Sequence, residues 1–170
     1  MGKRQPAAGL THVSQPGKAC MVGIAHKAVT KRSARAEAWV TVGPKIARLL
    51  RQSGEVAKGG VLETARIAGI LAAKRTAELI PMCHPLGIDC IELDAALSGD
   101  RVRIEAKVSC EGKTGVEMEA MTAAAVAALT VYDMVKSAGK GVEIGPLRLL
   151  EKSGGKSGHW VRELGADGKG

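Results

Sequence analysis

Asp133 and Lys136 are the first charges after Ala120–Tyr132, a stretch that carries none. Three residues apart, they share one face of a helix. An acid and a base leaving an apolar helix together are suited to proton transfer, because the burial implied by the preceding turns shifts pKa values toward catalytic use. The plainer reading is an exposed intrahelical pair, worth roughly a few tenths of a kcal/mol.

Other groups with chemical capacity lie upstream. Thr114-Gly115-Val116-Glu117 fits a capping box, with Thr114 as N-cap and Glu117 at N3, which gives Glu117 a structural role. Glu119 has no such role and borders the uncharged run, at the edge of a pocket. A solvated first turn also suits both carboxylates through the helix dipole. His84, in Cys83-His84-Pro85, is held in a short proline-bounded loop. It is poorly placed for core packing and suited to donate to a phosphate or relay a proton. His12, His26 and His159 form no metal-ligand spacing with it, so no metal centre is expected.

Gly112-Lys113-Thr114 and Gly155-Lys156-Ser157 resemble the end of a phosphate-binding loop. Lys107 and Leu150 stand where the leading glycine is required, so neither is a Walker motif. The run Ser153–Gly158 can still present backbone amides and Lys156 to an anion; a plain flexible loop is the alternative. Lys58 and Lys152 lie near glycines, where backbone can approach a ligand, and each alone reads as a solvated lysine.

The elements that must position these groups follow from periodicity. Ala34–Val42 alternates as a strand and Lys45–Arg51 reads as a short helix. Gln52–Gly60 reads as a loop. Val61–Leu79 has a broad apolar helical face stopped by Pro81. Ile88–Leu97 and Arg101–Val108 alternate around Ser98-Gly99-Asp100 as an antiparallel hairpin. A long helix over 115–138 follows, then a strand over Val142–Leu150, bent at Gly145-Pro146. Residues 19–24 read as a further short strand. The expected fold is α+β, an antiparallel sheet with two long helices packed on one face. The chain, 1–170, reads as a single domain with its core over about 10–158 and loose tails at 1–9 and 159–170.

Composition narrows the classes. The formal charge of +8 attracts anions of any kind. Its lysines and arginines are scattered, and Trp39, Tyr132 and Trp160 are the only aromatics. Nucleic acid, which is usually met with stacking aromatics, therefore ranks behind small phosphorylated ligands. Cys20, Cys83, Cys90 and Cys110 have neither disulfide nor zinc spacing, which points to a reducing cytoplasm. The first residues lack the apolar core of a signal peptide. The longest charge-free stretch reads as too short and too rich in Ala and Thr to cross a bilayer. A core without Phe leaves packing to Ala, Val, Leu and Ile, and suggests that subunit contacts share in stability.

Several runs together resemble the cyclic pyranopterin monophosphate synthases, the accessory protein C family of molybdenum-cofactor biosynthesis. The most specific are Pro81-Met82-Cys83-His84-Pro85-Leu86 and Gly112-Lys113-Thr114-Gly115-Val116-Glu117-Met118-Glu119-Ala120. Thr64–Ile70, Thr130-Val131-Tyr132-Asp133-Met134, Ile144-Gly145-Pro146 and Lys152–Gly158 also match. The resemblance implies a ferredoxin-like fold, and a homohexamer built as a trimer of dimers with sites at subunit interfaces. It implies a lyase that converts 3′,8-cyclo-7,8-dihydroguanosine 5′-triphosphate, supplied by a radical S-adenosylmethionine enzyme, to cyclic pyranopterin monophosphate and diphosphate. No resident cofactor or metal is implied, and Mg²⁺ would enter only with the triphosphate.

Carried over by position, Asp133 is the catalytic acid/base, with Lys136 and Lys58 as catalytic lysines. Met82, Cys83 and His84 form one substrate loop; Met118 and Glu119, with Glu117 nearby, form another. Lys152, Lys156 and Arg32 face the phosphates. The sequence departs from the family at Gly23 and Gly60, where Asp is usual, and in the length of the loop over 52–58. Helical rise separates Glu119 from Asp133 by roughly 20 Å, which favours a site shared between subunits. A ferredoxin-like RNA-binding module would need aromatics on the strands over 88–108, which have none. A non-catalytic assembly protein would leave Asp133 dispensable.

Overall fold

The computed structural model describes residues 13–14, 18–53, 55–56 and 59–163. In chain order the elements are β1 (Val13–Ser14), β2 (Lys18–Ala19), β3 (Thr30–Thr41), α1 (Gly43–Ser53), β4 (Glu55–Val56), β5 (Gly59–Gly60), α2 (Val61–Ala73), α3 (Thr76–Leu79), β6 (Cys90–Ser98), β7 (Arg101–Gly112), α4 (Glu117–Val135), β8 (Glu143–Ser153) and β9 (Trp160–Val161). The main sheet has five antiparallel strands in the order β6-β7-β3-β8-β9. Strands β3, β6, β7 and β8 with helices α2 and α4 give the ferredoxin-like βαββαβ order.

Alternation decides which face of the sheet is dry. Ala34, Ala36, Ala38 and Val40 of β3 are buried beside Val102, Ile104, Ala106 and Val108 of β7. Helices α2 and α4 cover that face, α4 lying over β3, β7 and β8 and α2 over β6. Core residues this small let backbones approach closely. At Gly69 on α2, an added Cβ would strike the Leu93 side chain and come within 2.8 Å of the Ala123 carbonyl of α4. Helix α4 has the length and hydropathy of a membrane span, contrary to the expectation from its Ala and Thr content. Instead, 56 % of its span-length stretch is buried inside the fold.

The opposite face carries a lattice of ion pairs. Glu37, 3 % exposed, accepts from Arg103 and, at 2.8 Å, from Arg148. Burial pushes its carboxyl up, but the two guanidiniums more than reverse this and hold it below the usual range. Arg35 bridges Glu105 and Glu151.

Strand β8 is not regular. Ala36 of β3 faces Leu149 while Arg35 faces Glu151, so Leu150 is an extra residue, a β-bulge. A second register shift falls at Gly145-Pro146, the position read as a bend.

Three expectations are corrected. The helix read over Val61–Leu79 breaks at Lys74-Arg75, where Arg75 has φ −113°. The long helix begins at Glu117, not Gly115, and its N-cap is Val116, with no side-chain cap, so the capping box does not form. Residues 159–163, read as part of a loose tail, include β9, which pairs Trp160 with Lys152 and Val161 with Glu151.

Candidate active site

Four loops and the first turn of α4 converge beside the end of β8. The turn at 24–27 closes by Lys27 N–H to the Ile24 carbonyl, 3.0 Å. Lys113 Nζ donates to the Ala25 carbonyl, 3.1 Å, and so ties this turn to the Gly112–Gly115 loop. The loop over 80–89 has no regular structure. The Asp89 amide bonds Ser109 on β7, and its carboxylate accepts from the Glu111 amide at 2.8 Å, which fixes the far end of the loop.

Arg32 on β3 joins two of these loops. Its Nε donates to the Gly112 carbonyl, 3.3 Å. Its guanidinium lies against Gly155, where an added Cβ would collide with it. Gly155 has φ +70° and Gly154 φ +100°, so both backbone conformation and space call for glycine here. The loop over Ser153–Gly158 closes on itself through Gly154 N–H to the Gly158 carbonyl, 3.1 Å.

Between these walls lies a cleft with two lobes. One, of about 530 Å³, is lined by Met82, Cys83, His84, Leu86, Met118 and Glu119, with Val22 and Ile24. The other, of about 370 Å³, is lined by Lys27, Arg32, Lys113, Lys152, Lys156 and the Ser153-Gly154 backbone. They share Lys27, Thr114, Gly115, Glu117, Lys152 and Ser157 as a common wall. Both volumes suit a small metabolite. The first lobe mixes apolar side chains with polar groups of both charges, and the second is cationic.

Glu117 and Lys152 stand on the common wall, paired at 2.9 Å. The Glu117 carboxylate folds over Gly115, where a Cβ would collide with it. That pairing replaces the expected cap. The β8 bulge makes it available: Glu151 faces the ionic side of the sheet with Arg35, and Lys152, opposite Ala34, faces the helices.

Glu119 is 4 % exposed. Burial raises its carboxyl above the usual range and Glu117 adds like-charge repulsion, while its own backbone amide opposes both. Cys83 is raised by burial and then by the Glu119 charge; Cys110, behind it, is raised by burial with Asp89 and Glu119 adding to it. Both thiols are therefore held in the neutral form, unsuited to nucleophilic work.

The structure thus gathers Met82, Cys83, His84, Glu117, Met118, Glu119, Lys152, Lys156 and Arg32 around one cleft. Asp133 and Lys136 are not in it. They lie at the other end of α4, paired at 2.6 Å with side chains 54 % and 56 % exposed. The burial expected from the uncharged run is absent in the single chain, because Leu129 and Tyr132 face outward at 59 % and 40 % exposure. Asp133 raises Lys136, first by the hydrogen bond and then by its charge, so this lysine is a firm cation. Lys58 lies outside the described residues.

Sequence reasoning missed Lys27, Lys113, Thr114 and Ser157. Lys113 and Thr114 carried a signal in Gly112-Lys113-Thr114: the run is no Walker loop, yet it brings a lysine to an anion-ready wall. Lys27 carried none, being one of 25 Lys and Arg residues. At Gly23 and Gly60, where the family pattern has Asp, a Cβ would meet open space, so packing does not demand glycine at either.

A model of the MoaC family matches residues 21–155. The chain is 52 % identical over 159 residues to the cyclic pyranopterin monophosphate synthase of Streptomyces coelicolor, covering 94 % of this chain and 93 % of that protein. It is 54 % identical over 161 residues to the enzyme of that name from Methylobacterium sp. (strain 4-46), covering 92 % and 98 %. To that of Methylobacterium nodulans it is 55 % identical over 159 residues, covering 91 % and 97 %.

Proposed function

The chain belongs to the MoaC family, and from that premise we propose how its cleft forms cyclic pyranopterin monophosphate, a step of molybdenum-cofactor biosynthesis. The observation that carries the reading is the two-lobed cleft, with a cationic end joined to a neutral end across one wall. The purine-derived rings of 3′,8-cyclo-7,8-dihydroguanosine 5′-triphosphate lie in the lobe of Met82, His84, Met118 and Glu119. The triphosphate lies against Lys27, Arg32, Lys113, Lys152 and Lys156.

The reaction opens part of the purine-derived ring, closes the pyranopterin, and lets a sugar hydroxyl displace diphosphate at the α-phosphate. Preorganised cations offset the charge that develops on the departing diphosphate. His84 and Glu119 hydrogen-bond the ring system; burial raises the Glu119 carboxyl above its usual range, which favours the form that can donate as well as accept. Proton transfers fall to Asp133, with Lys136 beside it as a cation that donates or stabilises negative charge. No resident cofactor takes part, and any Mg²⁺ arrives as part of the triphosphate substrate.

Because Asp133 lies roughly 20 Å along α4 from Glu119, the pair acts in the cleft of a second copy. The outward-facing Leu129 and Tyr132, in the turn before the pair, support this, as do the exposed Ile67 and Leu71 on α2. We extend the reading to a homohexamer, a trimer of dimers with interfacial sites, supplied in the cytoplasm by a radical S-adenosylmethionine enzyme. Lys58 is placed with the catalytic lysines on the family pattern alone. The test is to incubate the purified protein with the cyclic nucleotide triphosphate and assay diphosphate and pterin product. Wild-type turnover that survives intact in D133N would sink the assignment.

A further inference from the structure

We propose that the segment just after the glycine-rich loop is a positioning strap, in which His159 and Arg162 hold Lys152 and Lys156 at the cationic lobe of the cleft. The proposal rests on the reading of that lobe as the triphosphate site.

The geometry is that of a hairpin closed at its base. Strand β8 delivers Lys152 to the cleft, the loop over Ser153–Gly158 delivers Lys156 and Ser157, and β9 returns alongside. Only Trp160 and Val161 pair in β9, and a two-residue ladder is weak by itself. Side chains reinforce it on both sides. His159 Nε2 donates to Glu151 Oε1 at 2.9 Å, next in sequence to Lys152. Arg162 Nε donates to the Leu149 carbonyl at 2.7 Å, and the Arg162 amide to the Leu150 carbonyl at 2.8 Å. Those two carbonyls flank the bulge that turns Lys152 toward the helices.

Glu151 is the hub of the strap. It also accepts from Arg35 Nε at 3.2 Å, and Arg35 in turn reaches Glu105 on β7. His159 and then Arg35 hold the Glu151 carboxyl below its usual range, so it is ionised and competent for both bonds. The strap thereby links the loop to the central strands across the ionic face of the sheet. Neither His159 nor Arg162 borders either lobe of the cleft. Their effect on the reaction passes through the lysines they place.

The strap predicts a change in substrate affinity without loss of chemistry. H159A and R162A should each raise the KM for the cyclic nucleotide triphosphate about two- to fivefold, the scale of a partly exposed ionic hydrogen bond, with kcat held within about twofold. H159Q, whose amide can still donate to Glu151, should return KM to within about twofold of wild type. Hydrogen exchange at the Gly154 and Gly158 amides should quicken in H159A and R162A at an unchanged melting temperature. Wild-type KM in both alanine variants overturns the strap, as does a fall in kcat alone, or H159Q behaving like H159A. Unchanged exchange at Gly154 and Gly158 also overturns it, whether or not the variants turn over. Separately, the wild type is titrated with inorganic tripolyphosphate. If it neither binds tripolyphosphate nor releases diphosphate from the nucleotide, the reading of the lobe itself fails and the strap falls with it.

Discussion

The two ends of α4 make unlike half-sites from one helix. At its start, Glu119 is buried, and Glu117, tied to Lys152, lines with Met118 a cleft walled by four loops. At its end, Asp133 and Lys136 pair with one another on an exposed surface, beside Leu129 and Tyr132 that face outward. On the proposed reading, one end binds the substrate and the other supplies the proton-transfer groups. On that reading, a chain that binds with one end and reacts with the other works in company with a second copy.

The largest effect should come from the exposed end. D133N and K136A should fold and bind, yet lose turnover by about 10²–10⁴-fold, the usual contribution of a positioned acid or base. Diphosphate release measures this, and near-wild-type rates would dissolve the contrast between the ends. The contrast sharpens if two dead variants are mixed. D133N and K152A, co-refolded, should recover activity, because some interfaces pair an intact cleft with an intact Asp133; no recovery at any ratio would mean that each chain works alone.

At the enclosed end, K152A removes a cation from the cleft and leaves Glu117 unpaired. A lost hydrogen bond to a charged group suggests a KM increase of about tenfold or more, with a smaller change in kcat than D133N produces. A fall in kcat with KM unchanged would move Lys152 from binding into the chemistry. G69A tests the frame common to both ends. The added methyl meets Leu93 and the Ala123 backbone, and overpacking of this kind costs about 1–3 kcal/mol. A denaturant melt with an unchanged midpoint would show that the helices separate freely. The smallest effect is a drift with pH. Glu119 titrates above its ordinary 4.5 in the folded chain, so between 4.5 and its raised pKa the folded state binds more protons than the unfolded one. Wild type should therefore lose stability relative to E119Q as pH rises through that window. A melting-temperature difference between the two that stays flat from pH 4 to 8 would remove the enclosed character of this end.

How much of this was legible depended on whether neighbours in sequence or distant parts of the chain made the structure. Hydrophobic alternation in Ala34–Val40 and Val102–Val108, and the long apolar run after Glu119, gave the sheet and the covering helices. His84 between prolines and the glycine-rich loop marked two walls of the cleft. Local patterns misled where a distant partner offered more. Thr114 and Glu117 have the residues of a capping box, but Lys152, 35 positions away, takes the carboxylate. Strand β9 was invisible because two residues carry no period; it exists through Glu151, Leu149 and Leu150, which lie outside it. The exposure of Asp133 was hidden by composition, since Ala- and Leu-rich turns look buried whether they face a sheet or another subunit.

The extra residue at Leu150 sets the phase of everything that follows it on the strand. Before it, even or odd position in the sequence maps to one face of the sheet; after it the mapping is reversed. Were the bulge ironed out with every residue kept, Lys152 would turn to the ionic face and Glu151 toward the helices, exchanging a cation for an anion at the cleft wall, whereas deletion of Leu150 would close a regular ladder that keeps Glu151 opposite Arg35 and Lys152 opposite Ala34. The sign of the charge in the cleft is in this sense a property of the bulge as much as of the side chains themselves.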